Sequence, residues 1–205
     1  RLEERGICSA DSFVALANQG DRFETRFPHP ANLEGYLFPD TYLVAIDGSP
    51  EILIGQMLDA FESKVYEPLG SEVEASGMSL GQIVTLASLV EKEARIPKDR
   101  PLVSAVLKHR LRKNMRLECD ATVLYALGRH KQRVLYSDLE VDSPYNTYRN
   151  AGLPPGPIAN PGLASVEAAL RPARVDYLFY VARKDGSHVF TRTYAEHQRA
   201  RRSVR

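Results

Sequence analysis

The chain has 205 residues, 43% hydrophobic and 26% charged, with a formal net charge of +1. That composition suits one large globular domain, or one domain with a small appendage, and it excludes a nucleic-acid binder that depends on bulk electrostatics. Cys8 and Cys119 are the only cysteines and have no Cys-x-x-Cys or Cys/His ligand spacing, which excludes a structural zinc site, and no run approaches the roughly 20 apolar residues of a membrane-spanning helix.

Arg1-Leu2-Glu3-Glu4-Arg5-Gly6 reads as the last turn of a helix closed by glycine, which predicts that a segment precedes it. Ser9-Ala10-Asp11-Ser12 predicts a helix start before Phe13, Val14, Leu16 and Ala17. Residues 27–42 hold Pro28, Pro30, Gly35 and Pro39 and cannot be one regular element. Tyr36, Phe38 and Tyr42 predict a packed loop there. Ser49-Pro50-Glu51 opens a helix, with Ile52, Ile54, Met57, Leu58 and Phe61 spaced for one buried face. Ser79 opens another, with Leu80, Ile83, Val84, Leu86, Ala87, Leu89 and Val90 inward and Glu91-Lys92-Glu93 at its end.

A further helix starts near Asp99 with Pro101 in its first turn, where proline is tolerated, and runs through Val103, Val106, Leu107 and Leu111. Residues 121–127 and a Ser137-x-x-Glu140 capping box mark shorter helical pieces. Between Pro144 and Gly162, Pro154, Pro155, Pro157 and Pro161 stand with Gly152 and Gly156. This predicts a long, stiff, non-helical loop, a kind commonly functional in compact domains. A short helix over 164–170 precedes two strand-like runs, 177–182 and 188–191, flanking Asp185-Gly186, a hairpin signal. The basic end (Arg199, Arg201, Arg202, Arg205) reads as a solvated helix end. The class is therefore α+β: mainly helical, with a small sheet that includes a C-terminal hairpin, and a long Pro/Gly-rich cleft loop.

Carboxylates at the end of an apolar helix can be pushed toward the protonated state by partial burial, which a general acid needs near neutral pH. Glu91 and Glu93 are two apart and so sit about 200° from each other around the helix. They cannot both face one cleft, unlike the two carboxylates of an ordinary glycosidase, roughly 5–10 Å apart across one bond. The apolar stripe centres near Ile83, and the two glutamates lie on its opposite shoulders. Periodicity leaves the choice open and slightly favours Glu91 as the more buried.

Four segments in order are Leu33-Glu34-Gly35-Tyr36-Leu37-Phe38-Pro39-Asp40-Thr41-Tyr42, Leu86 to Ala94, Tyr145-Asn146-Thr147-Tyr148 and Gly152-Leu153-Pro154-Pro155-Gly156-Pro157-Ile158. Together they resemble the MltG/YceG-like family of endolytic murein transglycosylases, over roughly residues 30–200. The resemblance implies a catalytic domain over 29–205 preceded by a helical junction, 1–28, that follows a LysM-like subdomain. It implies Glu93 as the single catalytic acid/base, with no metal and no cofactor. Substrate contacts fall to Glu34, Asp120, Asn146 and Tyr148. Glu91 is grouped with them, with structural support as its other role.

The substrate implied is the peptidoglycan glycan strand, cut between MurNAc and GlcNAc with a 1,6-anhydroMurNAc end. Peptidoglycan synthases are the implied partners. The implied location is the cell envelope, facing the periplasm behind an inner-membrane anchor. Cys119 and Ala121 depart from the family's pattern around Asp120, and Asn114 stands where glycine is common, although asparagine tolerates the left-handed turn. Asp40 reads as a local Asx turn, and His188 and His197 as structural. Ser88 lacks the surroundings of a nucleophile, and Asn160 is a weaker substrate candidate. Two rivals stand beside this reading. One is a water-using hydrolase with Glu93 as acid and Glu34 or Asp120 as base, and the other is a non-catalytic glycan-binding module.

Overall fold

The computed structural model describes residues 2–45, 48–128, 131 and 134–204. About half of the chain is helical, with one two-stranded antiparallel sheet. Helix α1 spans Ala10–Ala17, and α2, Pro50–Phe61, runs through a π turn at Glu62–Tyr66 into α3, Glu67–Ala75. Then follow α4 (Leu80–Glu93), α5 (Arg100–Arg112), α6 (Asp120–Ala126) and α7 (Leu163–Leu170). The strands β1 (Phe179–Ala182) and β2 (His188–Thr191) precede α8 (Tyr194–Ser203). No single helix among the described residues is long and apolar enough to cross a membrane.

Serine caps start the helices where the sequence predicts. The side chains of Ser9, Ser49 and Ser79 accept the N–H groups of Ser12, Glu51 and Gln82, and Ser79 with Gln82 forms a full capping box. The Ser137–Glu140 box does not form. Residues Tyr136–Glu140 make a 3-10 turn in which the Asp138 carboxylate accepts the Leu135 N–H at 2.8 Å. In α2, Ile52 is 63% exposed and Leu53 is buried in its place, beside Ile54, Leu58 and Phe61. The helix from Phe61 to Ala75 was not expected. Its π turn stands just before Pro68, whose ring lacks an N–H and crowds the preceding turn.

Helix α4 is the axis of the fold. Ile83, Val84, Leu86, Ala87, Leu89 and Val90 are all fully buried, because α5, α6 and α7 pack around it. The loop over 33–38 and the proline-rich loop close its remaining face. Gly35, at φ +94, is what lets these two loops meet, since a Cβ there would lie 2.4 Å from Pro157 and 2.8 Å from Val84. Its N–H donates to Asn160 Oδ1 at 2.7 Å, and Ile158 N–H donates to the buried Ser88 hydroxyl at 3.0 Å. The expected hairpin pairs Phe179 with Thr191 and Ala182 with His188. Asn114 takes the left-handed conformation, φ 53, as its turn requires.

Candidate functional site

A cleft of about 510 Å³ opens between the end of α4, the start of α6, the hairpin and α8. Glu93, the last residue of α4, is on its wall. Tyr180 in β1 donates its hydroxyl to Glu93 Oε2 at 3.1 Å, and the Ala121 N–H stands 3.5 Å from Oε1. Burial pushes the Glu93 carboxyl up to about 7; the nearby Asp120 charge adds to the rise, while the bonds from Tyr180 and Ala121 oppose it. A carboxyl in that range can both give and take a proton near neutrality.

Asp120 and Tyr148 line the same cleft, joined by the Tyr148 hydroxyl donating to Asp120 Oδ1 at 2.6 Å. They are placed by Thr147, whose hydroxyl accepts the Cys119 N–H at 3.0 Å and whose carbonyl accepts the Glu118 N–H at 3.2 Å. Glu118, at φ 54, is a further carboxylate on the lining. Arg110 holds this corner from α5. It is buried and donates to the carbonyls of Leu178, Arg116 and Leu117 and to Glu118 Oε2 at 3.0 Å. One guanidinium thereby ties the strand carrying Tyr180 to the turn leading into Asp120. Cys119 is buried 4.0 Å from the Tyr180 hydroxyl, and its thiol is raised well above the usual range, first by burial; it and Cys8 are both free.

Three predicted site residues take other places. Asn146 is fully buried; its amide donates to the Leu139 and Val141 carbonyls at 2.8 and 2.9 Å and accepts the Tyr148 N–H at 3.0 Å. With both ends engaged inside the protein it has nothing to offer a sugar, and its work is to fold the loop that aims Tyr148. Glu34 is absent from the cleft lining and accepts the Tyr125 hydroxyl at 2.6 Å, fastening its loop to α6. Glu91, on the opposite shoulder of α4, accepts the Ser165 hydroxyl at 2.6 Å and the Gly162 N–H at 3.3 Å, with Arg100 3.8 Å away. It anchors α7 and the end of the proline-rich loop to α4. Asn160 is likewise structural, accepting the Gly35 and Leu37 N–H groups.

The sequence reading missed Tyr180 and Arg110. Arg110 had a signal, since it continues the Val103, Val106, Leu107 stripe of α5, where a charged residue is out of pattern. Tyr180 had none, as one aromatic among several in a strand. His188 is buried and its Nδ1 lies 3.0 Å from Asp99, joining the hairpin to the start of α5. Among the described residues no cluster of three or more His, Cys, Asp or Glu side chains could hold a metal ion.

The Asn146 correction is testable. Asn146→Ala leaves two carbonyls and one N–H unpaired inside the protein and is expected to cost about 2–4 kcal/mol, read as a fall of several degrees in Tm. An unchanged Tm with weakened glycan binding would return Asn146 to the substrate.

A family model described as the YceG-like family matches residues 2–203. An endolytic murein transglycosylase of Bacillus subtilis is 50% identical over 182 residues, 88% of this chain and 50% of the relative. An endolytic murein transglycosylase of Streptococcus pneumoniae serotype 2 is 36% identical over 173 residues, 82% of this chain and 31% of that protein. The crystal structure of a YceG-like protein from Listeria monocytogenes superposes with a TM-score of 0.76 at 42% identity, covering 92% of this chain and 62% of the other. The chain thus spans half or less of the curated relatives it matches.

Proposed function

The chain belongs to the YceG-like family, and on that premise we propose that it is the strand-cutting part of an endolytic murein transglycosylase, with Glu93 as its single acid/base. The observation that carries the reading is the Glu93 carboxyl, held near 7 chiefly by burial, on the wall of a cleft shared with Tyr148, Asp120 and Tyr180. The substrate is the glycan strand of peptidoglycan. Protonated Glu93 donates to the oxygen between MurNAc and GlcNAc as the C1–O bond breaks through an oxocarbenium-like state. The ionised carboxylate then takes the proton of the MurNAc C6 hydroxyl as O6 closes on C1. The products are a free GlcNAc hydroxyl and a 1,6-anhydroMurNAc end, Glu93 is again protonated, and no water is consumed. One carboxylate suffices because the nucleophile is already part of the substrate.

Tyr180 supports the second half of this cycle by donating to the carboxylate while it is charged. Tyr180→Phe removes the bond that favours ionised Glu93. The variant is therefore expected to lose about tenfold in kcat/KM, and the fall in activity at high pH moves to higher pH. A pH profile with that limb unmoved would remove Tyr180 from the proton cycle.

Digestion of uncrosslinked glycan strands, with chain ends read by mass spectrometry, tests the reaction itself. Anhydro ends made by the native chain are the expected result. Reducing ends would identify a hydrolase, and one observation favours that second reading: the cleft holds two further carboxylates, Glu118 and Asp120, either of which could activate water. No cleavage at all would leave the glycan-binding module. As part of the same proposal, the protein works in the cell envelope behind an N-terminal anchor, beside peptidoglycan synthases, with 1–28 as the junction to the segment before the catalytic domain.

A further inference from the structure

Helix α5 also borders a second groove, of about 1060 Å³, whose lining shares no residue with the Glu93 cleft. That volume is just above the about 300–1,000 Å³ that holds a drug-sized ligand. Its rim is strongly basic, with Lys108 and Arg112 from α5 and Arg171, Arg174 and Arg192 from the segments after α7 and β2, against one acid, Asp176. Asp176 is already taken by Arg192 at 2.6 Å, and Arg171 by Glu72. Among the described residues, Lys108, Arg112 and Arg174 have no ion-pair partner. Burial and then the Arg112 charge depress the Lys108 ammonium, so the protein holds like charges together without an internal counterion. The floor is apolar, formed by Met78, Leu111, Leu170 and Val175.

Uncompensated cations over an apolar floor, with Lys108 partly desolvated, fit an anion that also carries small apolar groups, and forked guanidinium groups fit planar carboxylates. The concave shape suits a chain lying in the groove better than the flat face of a bilayer. We propose that this groove binds a short carboxylate-bearing peptide, the stem that projects from the murein strand cut in the cleft. The identity of the peptide rests on the substrate reading above. The groove would select strands that still carry their peptides.

The test titrates the 205-residue chain with the free tripeptide L-alanyl-γ-D-glutamyl-diaminopimelate and with its amidated form, by calorimetry, alongside the variant Lys108→Ala/Arg112→Ala. The expected result is binding of the acidic peptide, with roughly tenfold weaker binding of the amidated form and the same loss for the variant. The variant is also expected to cut peptide-free strands as the native chain does. Failure to bind the peptide, or equal binding by the variant, overturns the assignment. So does adsorption to phosphatidylglycerol vesicles through Lys108 and Arg112 without peptide binding. Peptide binding by a native chain that cuts no strand would sink the strand-cutting reading and leave an acidic-peptide groove standing; cleavage without peptide binding would do the reverse.

Discussion

Glu93→Gln is expected to reduce strand cleavage by about a thousandfold or more, because in the proposed cycle one carboxyl carries both proton transfers and each such transfer is worth about 10²–10⁴ in rate. Glutamine keeps the shape and can still accept the Tyr180 hydroxyl, so the fold survives. Stability moves the other way. The folded carboxyl is raised to about 7, first by burial, while in the unfolded chain it titrates near its ordinary 4.5. Between those values the folded state holds a proton that the unfolded state has lost, so stability falls as pH rises from about 4.5 to about 7 and is level above. The cost of ionising Glu93 in place is on the order of 3 kcal/mol above pH 7. Glu93→Gln is therefore expected to melt higher than the native chain at pH 8 and with a much smaller difference at pH 4.5. In the proposed cycle, activity of the native chain is expected to fall as pH rises past about 7, because the acid form of Glu93 disappears. Melting curves of both proteins at the two pH values and a pH–rate profile check this together. A variant that melts lower at pH 8 would mean that the carboxyl is not strained by burial, and the general-acid role would lose its physical basis.

The difference between Glu93 and Glu91 marks what can be read in a sequence. Helix starts were legible at Ser9, Ser49 and Ser79 because a cap is a local event, completed within three residues. The hairpin was legible for the same reason, and so was the left-handed turn at Asn114. Periodicity slightly favoured Glu91 as the more buried, while in the structure burial pushes the Glu93 carboxyl up. What buries it includes Tyr180, 87 residues further along, and helix geometry carries no information about a partner so distant. Asn146 failed for a related reason. An amide before a proline-rich loop has the same chemistry whether it turns toward a sugar or inward to the Leu139 and Val141 carbonyls, and only the packed loop decides. The resemblance pointed to Glu93, which lines the cleft, but segments that line up in sequence include residues that build a cleft as well as residues that face it.

Gly35 shows how those segments depend on one another, and Gly35→Ala is expected to be among the most damaging single changes in the chain. The backbone at φ +94 is one that an L side chain rarely adopts. The added methyl would also fall 2.4 and 2.7 Å from Pro157 and 2.8 Å from Val84. Neither neighbour can give way easily: the Pro157 ring is fixed in a loop tied to α4 through Ser88, and Val84 is fully buried in α4. Backbone strain and overpacking together are expected to cost about 3–5 kcal/mol, a fall in Tm of about 10 °C for a chain of this size. The clash separates the 33–38 loop and the proline-rich loop from the helix that ends in Glu93. Cleavage by the surviving folded fraction should therefore fall in kcat even at temperatures where that fraction dominates. A variant with native Tm and native kcat would mean that the two loops are not packed against α4 and that the cleft does not depend on their joint. Loss of Tm with native kcat at low temperature would confine Gly35 to stability and detach it from the geometry of Glu93.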